Sequence, residues 1–282
     1  MVDFIYILVP VLTVLLIRIC EKNKILVDFK KENHKRFASK IYNYSIAGII
    51  FYLFWLYIFI SENNYNLIFF QVFSLIFFTG LFSDLKIFRS AKFRFLLQII
   101  ILLYFIFISD FKIPLSNIHL VDIFLSNQYF NKFFTIFCLM ILINGNNFID
   151  GINTLLIGYN IILTIFLLVI FKEFLHNTEI LKDYLIILLV LFVFNFNGKI
   201  ILGDAGAYIL AFFLGIYLID FARNNTYLSP FFIISLLWYP CFELLFSIIR
   251  RLKYLKKTYE PDTQHLHQLM FKYFFIKTKN TQ

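Results

Sequence analysis

Charge is scarce in this chain. Asp, Glu, Lys and Arg together make up 15% of its 282 residues, against about 25% in a soluble globular domain. Hydrophobic residues make up 61%, where roughly 45–50% is usual even with glycine counted, and mean hydropathy is +0.80. A soluble globular protein, a coiled coil and a disordered chain are thereby excluded. What remains is a polytopic membrane protein. No soluble domain is inserted, and neither a low-complexity tract nor an internal repeat is present. Cysteine is nearly missing too. Cys20, Cys138 and Cys241 lie in or beside apolar segments without motif spacing; they read as packing residues and carry no message about redox compartment. No basic stretch precedes the apolar run from Phe4 to Ile19, and no small-residue cleavage site follows it, so it reads as a retained first helix. The 40 Phe residues fit a bilayer, which accepts Phe as readily as Leu or Ile.

A helix needs about 20 apolar residues to cross the hydrocarbon core. Such runs predict nine spans, at about 4–20, 43–61, 66–82, 95–110, 130–146, 153–171, 184–197, 205–221 and 229–249. The net charge of +9 is concentrated: 21 of the 26 Lys and Arg fall in segments 18–40, 83–94 and 250–279 and at Lys199. Nine alternating spans place all of these on one side, which the positive-inside rule makes cytoplasmic, with the N-terminus outside. The opposite loops hold Glu62, Asp110, Glu173 and Glu179. The positive charge therefore reads as topology and attraction to anionic headgroups or substrates, and no nucleic acid is expected as a partner.

Polar groups in apolar sequence are costly and mark candidate sites. Four groups stand out, all expected at the cytoplasmic face. Gly80-Leu-Phe-Ser-Asp84 closes the third span and precedes Lys86, Arg89, Lys92 and Arg94; a solvated helix cap is the plain alternative. Asn144-Gly-Asn-Asn147-Phe-Ile-Asp150-Gly151-Ile-Asn153 packs amides and a carboxylate into one stretch. Asn147, Asp150 and Asn153 recur at i, i+3, so a helical turn would align them on one face; an Asn/Gly turn is the alternative. In Asn195-Phe-Asn-Gly-Lys199-Ile-Ile-Leu-Gly203-Asp204-Ala-Gly206, the glycines allow close backbone approach and Asp204 suits Mg²⁺; a glycine-flanked break between spans is the alternative. Arg250-Arg251 precede Pro261-Asp262-Thr-Gln-His265-Leu-His267-Gln268, which contains the one His cluster of the sequence. Zinc binding, contact with phosphate and a solvated juxtamembrane tail all remain open for it. Together the groups supply carboxylates and amides for a divalent cation amid Arg, Lys and His for phosphates, a constellation suited to phosphoryl transfer.

In order and spacing these motifs resemble the polyprenyl-phosphate N-acetylhexosamine-1-phosphate transferases, the MraY/WecA-like superfamily, and within it the WecA-like bacterial branch. The resemblance runs from about Lys31 to Phe271. Asn144–Asn153 resembles the run Asn-x-x-Asn-x-x-Asp-Gly-x-Asp/Asn. Asn195–Gly206 resembles Asn-Phe…Lys-Ile-Phe-Met-Gly-Asp-x-Gly-Ser, and His265–Gln268 resembles His-Ile-His-His. Pro240–Arg251, with Glu243, resembles a helix that carries an Asp or Glu in the family.

The resemblance implies an all-α membrane enzyme. It would transfer a HexNAc-1-phosphate from a UDP-sugar to undecaprenyl phosphate, releasing UMP, in the bacterial cytoplasmic membrane. Mg²⁺, or Mn²⁺ in its place, is the implied cofactor, and a homodimer is an implied state. By the same resemblance Asn147 and Asp204 ligate the metal, with Asp84 beside the metal or the lipid phosphate, and Asp150 supports its loop. Gly151 and Asn153 contact uracil, with Asn144 and Lys199 also on the substrate side. His265 and His267, with Arg250 and Arg251 nearby, hold the diphosphate.

The sequence departs from the family pattern at several points. Ser83 stands where the family has a second acidic residue, Gln268 replaces a His, Ala207 a Ser, and Thr154 stands where Gly is common. One transferase domain over 1–282 is expected, without the one or two helices that usually follow the His motif. Two other readings stay on the table. A catalytically degenerate relative with a binding or assembly role is motivated by Ser83. A transporter is disfavoured because polarity gathers at one face and no repeat is visible.

Overall fold

The computed structural model describes residues 2–28, 43–61, 66–175, 178–253 and 265–280. Lys31, Glu62 and the Pro261–Gln264 part of the fourth polar group lie outside the described residues. The described chain is all-α apart from one short strand pair. In order it forms α1 (Val2–Asn23), β1 (Val27–Asp28), β2 (Asn43–Tyr44), α2 (Ala47–Ser61), α3 (Leu67–Asp84), α4 (Ala91–Ser109) and α5 (His119–Leu125). There follow α6 (Gln128–Ile149), α7 (Leu155–Ile170), α8 (Thr178–Phe196), α9 (Gly203–Asn224), α10 (Pro230–Leu236), α11 (Trp238–Lys253) and α12 (Leu266–Asn280).

The outside of this bundle is apolar. Phe107, Phe137, Ile162, Val169, Val193 and Ile249 are all exposed, an arrangement that water penalises and lipid accepts. In α11 the pattern is inverted relative to a soluble helix: Glu243, Ser247 and Arg251, four residues apart, are buried, while Phe242, Leu245, Phe246 and Ile249 face outward. By length and composition α3, α4, α6 and α9 can each cross a bilayer, and α10 with α11 can do so as a bent pair. The chain is a multi-pass membrane protein.

Each predicted apolar segment falls mainly on helix, with three differences. The second starts later, at Ala47, because Asn43–Tyr44 form β2. The seventh starts earlier, at Thr178, because its charges are accommodated: Lys182 pairs with Glu179 at 2.6 Å on the surface, and buried Asp183 accepts from the Tyr6 hydroxyl of α1. The ninth, expected as one helix, turns by 75° between α10 and α11. The cause is Pro240. It has no N–H to give the Leu236 carbonyl and its ring crowds that oxygen; the Tyr159 hydroxyl of α7 donates to Leu236 O instead. α12 was not foreseen at all.

The hub is α9, hydrophobic all round and buried along Ala205–Gly215, as a helix enclosed by others must be. Small residues let its neighbours touch its main chain, the usual device of helix packing in membranes. A Cβ on Gly48 of α2 would lie 2.4 Å from Gly206 N, and one on Gly80 of α3 would lie 2.4 Å from Ala205 Cα. Gly206 thus serves helix packing rather than ligand approach. Tyr44 O accepts from Ile201 N at 2.9 Å, which ties the β2 segment to the entry of α9.

Candidate active site

These contacts carry the C-terminus of α3 onto the N-terminus of α9. The first N–H groups of a helix have no partner within it, and here Asp84 supplies one. Its Oδ1 accepts from Asp204 N at 2.9 Å and its Oδ2 from Ala205 N at 3.1 Å. The carboxylate also sits at the positive end of the helix dipole. Gly203 makes room for it: φ is +67°, and a Cβ there would fall 2.6 Å from Asp84 Oδ2. Asp84 is therefore a cap for another helix, and the solvated local cap considered from the sequence does not describe it.

Asp204 faces a different set of partners. Its Oδ2 accepts from Ser83 Oγ at 2.5 Å and pairs with the Arg94 guanidinium of α4, which also donates to Ser83 Oγ. Ser83, at the position of the expected second acid, thus bridges Arg94 and Asp204. Asp204 Oδ1 makes no hydrogen bond among the described residues. Two carboxylates meet at this helix junction. Their hard oxygens fit Mg²⁺, which takes one or two carboxylates and leaves its other positions to water and phosphate. Among the described residues no three His, Cys, Asp or Glu groups converge as a metal cage, so the zinc option for His265 and His267 finds no third ligand there.

The Asn144–Asn153 motif ends a helix instead of riding on one. Helix α6 stops at Ile149, Asp150 is its C-cap, and Thr154 adopts φ +69°. Asn147, Asp150 and Asn153 accordingly do not share a helical face. Asn147 stays in the last turn of α6, half-buried, its side chain without a hydrogen bond among the described residues. Asn195 holds the turn in place, accepting from Thr154 N at 2.5 Å and donating to Ile200 O at 2.7 Å; one amide therefore joins the second motif to the third. Asn144 turns inward, donating to Gln98 Oε1 of α4 at 3.1 Å and to Met140 O at 2.9 Å, a structural contact. Lys199 is exposed beside this junction.

The histidines come to the same end. Glu243 of α11, buried, accepts from His265 Nδ1 at 3.0 Å and from Leu266 N at 2.8 Å, fixing the start of α12. The His265 ring lies 5.1 Å from Phe148 and stacks on His267 at 5.6 Å. Tyr239 OH lies 3.3 Å from His267 Nδ1. His267 Nε2 is buried without a partner among the described residues, and a Cβ on Gly151 would come within 2.9 Å of it. Burial, reinforced by neighbouring His265 and opposed by Glu243, pulls the His267 pKa down to about 4, so His267 is a neutral imidazole at pH 7. Arg251 is buried over the Phe148 ring at 5.4 Å, and Arg250 lies over Phe246 at 5.6 Å with a 3.4 Å contact to Ser247 Oγ.

One end of the bundle thus gathers Asp84, Asp204, the Asp150–Thr154 turn, Glu243, His265 and His267. The family model described as glycosyl transferase family 4 matches residues 66–222, more than half of the chain. The chain belongs to this family. The match carries Asp84, Asn147, Asp150 and Asp204 and ends before the histidines. A Thermotoga maritima protein named undecaprenyl-phosphate α-N-acetylglucosaminyl 1-phosphate transferase is 29% identical over 73 residues, 26% of this chain and 24% of that one. The aligned part is about a quarter of each length.

Sequence reasoning passed over Arg94 as a site residue and did not foresee that Glu243 orients a histidine. It also missed Gln98, although a lone amide in the apolar run of α4 was a readable signal.

Proposed function

We propose that this protein transfers a HexNAc-1-phosphate from a UDP-sugar to undecaprenyl phosphate, releasing UMP and starting a cell-surface glycan such as a lipopolysaccharide O-antigen or capsule. The observation that supports this reading most is the meeting of Asp84 and Asp204 at the start of α9, at the same end as the Asp150 turn and the His pair. In the reaction an oxygen of the lipid phosphate bonds to the sugar-bearing phosphorus. The bond from that phosphorus to the bridging oxygen breaks, and its electron pair leaves with UMP. A phosphate monoester has its second pKa near 6, so the nucleophile is already anionic, and positioning and charge neutralisation matter more than proton abstraction.

Asp204 and Asp84, with Asn147 of α6, would hold Mg²⁺, for which Mn²⁺ is the expected substitute. When bound, the cation supplies charge neutralisation at the diphosphate. Asp84 holds the α9 N-terminus in place and Asp204 orients against Arg94. Arg250 and Arg251, with the neutral imidazole of His267 and with His265, would bind phosphate oxygens, and Gly151, Asn153 and Lys199 would meet the nucleotide. The membrane is the bacterial inner membrane, with nine spans, the N-terminus outside and the site facing the cytoplasm.

The Arg94–Ser83–Asp204 contact favours one second reading, a relative that binds the lipid and nucleotide without turnover. Release of UMP from the reconstituted chain separates the two. Release that requires both undecaprenyl phosphate and Mg²⁺ is expected, with UDP-GlcNAc, UDP-GalNAc and their 6-deoxy relatives supplied in turn. Binding of lipid and nucleotide with no release from any donor would leave the second reading.

A further inference from the structure

The other end of the bundle carries two adjoining cavities that the proposed reaction does not use. At 1.5 Å per residue, the start of α3, which lines one of them, lies roughly 25 Å from Asp84. The larger cavity, about 480 Å³, opens between α2, α3, α4 and α9 and is walled by aromatic side chains, Trp55, Phe73, Phe105 and Phe213 among them. The second, about 390 Å³, is mixed: Lys112, Gln128 and Asn131 line it beside Ile113, Leu115 and Leu125. Phe111 lines the first, Lys112 the second, and Arg223 both. Volumes of 300–1,000 Å³, an apolar wall and a few placed polar groups are the marks of a ligand site.

Two unspent groups indicate the ligand. Arg223 is exposed, lies over the Phe111 ring at 5.3 Å, and makes no hydrogen bond or ion pair among the described residues. Trp55 is 5% exposed, and its indole N–H finds no acceptor among the described residues, a cost that a hydrogen-bonding guest would remove. Two carboxylates lie nearby. Asp110 is taken up by Lys132 at 2.7 Å and Gln128 at 3.3 Å, with Lys112 farther off at 3.9 Å. Asp220, at the rim of the aromatic cavity, accepts from Asn224 at 3.2 Å. No carboxylate lines the second cavity. A chamber with two cations in its lining therefore abuts an aromatic one, with an orphan donor in the wall of the latter.

The geometry points to a structural site for an anionic glycerophospholipid. Its phosphate lies between Arg223 and Lys112, one acyl chain enters the aromatic cavity, and an ester carbonyl accepts from Trp55. This site is independent of the transfer reaction and stands or falls without it.

The full chain, purified in detergent and delipidated, is titrated with phosphatidylglycerol, with phosphatidylcholine of the same chains, and with glycerol phosphate alone. Retained lipid is counted by native mass spectrometry, and stabilisation is followed by thermal unfolding. Phosphatidylglycerol is expected to bind at about tenfold lower concentration than phosphatidylcholine, and glycerol phosphate is expected not to bind. Arg223→Gln, on an exposed residue, should remove the preference and leave the lipid-free unfolding midpoint in place. Ile216→Trp, which fills the aromatic cavity, should abolish retention of both lipids. Equal binding of the two lipids, an unchanged preference in Arg223→Gln, or glycerol phosphate binding as tightly as the lipid would each overturn the assignment.

Discussion

Asp84 and Asp204 are partners through the main chain: the carboxylate at the end of α3 accepts the Asp204 N–H, at 2.9 Å, while the Asp204 side chain turns to Arg94 and Ser83. One acid thus holds a helix, and the other keeps an oxygen without a hydrogen bond among the described residues. Asp84→Ala is expected to lower stability by about 0.5–2 kcal/mol, the range for a lost N-cap, and to abolish UMP release. Asp84→Asn, which keeps one acceptor, should cost less stability and still lose most activity. An unfolding midpoint unmoved by Asp84→Ala would show that the cap contributes nothing.

Ser83→Asp adds a third carboxylate beside the pair. Without a cation the added charge repels Asp84 and Asp204, offset in part by Arg94; with one it becomes a ligand. Unfolding of this variant is expected at a lower temperature than the parent in chelator, and its midpoint should rise more steeply with added Mg²⁺. A Mg²⁺ response equal to the parent's would place the cation elsewhere.

Thr154 holds φ at +69°, where a β-branched residue is strained. Thr154→Gly relieves roughly 1–2 kcal/mol of that strain, offset in part by loss of the hydroxyl bond to Asn153 O, 2.5 Å long, and by the greater freedom of glycine in the unfolded chain. A net gain of about 0.5–1 kcal/mol is expected, read as a higher unfolding temperature. A lower one would mean that the hydroxyl contact outweighs the strain.

His267 has its pKa drawn down to about 4, below the 6.5 or so of an unfolded histidine. Between those values the unfolded chain binds more protons, so the contribution to stability is whole above about pH 6.5 and is lost as pH falls toward 4. The slope is at most about 1.4 kcal/mol per pH unit. His267→Gln should flatten the unfolding temperature across that window. The same slope in the variant would assign it to another group.

What the sequence revealed was periodic or charged. Long apolar runs located the helices, and ordered polar motifs located the end of the bundle where the candidate site lies. What it hid depended on partners far away in the chain. The bend at Leu237 needs Pro240 and also Tyr159, and nothing in the run 229–249 names Tyr159. Arg94 read as one cation among four after the third span, because only the fold brings it to Asp204. Asn147, Asp150 and Asn153 suggested a helical face, yet Asn195, some forty residues on, closes the chain into a turn there. Gly48 carried no signal at all, since an isolated glycine in an apolar helix looks like composition.

That glycine has a long reach. With Gly80 it lets two helices rest directly on the backbone of a third, so the spacing of the two acids is set by main-chain contact and has almost no slack. A single methyl group at Gly48 or Gly80 would act as a wedge, displacing the chemistry without touching any residue that performs it. Selection on such a bundle would register as strongly at its plainest positions as at its charged ones.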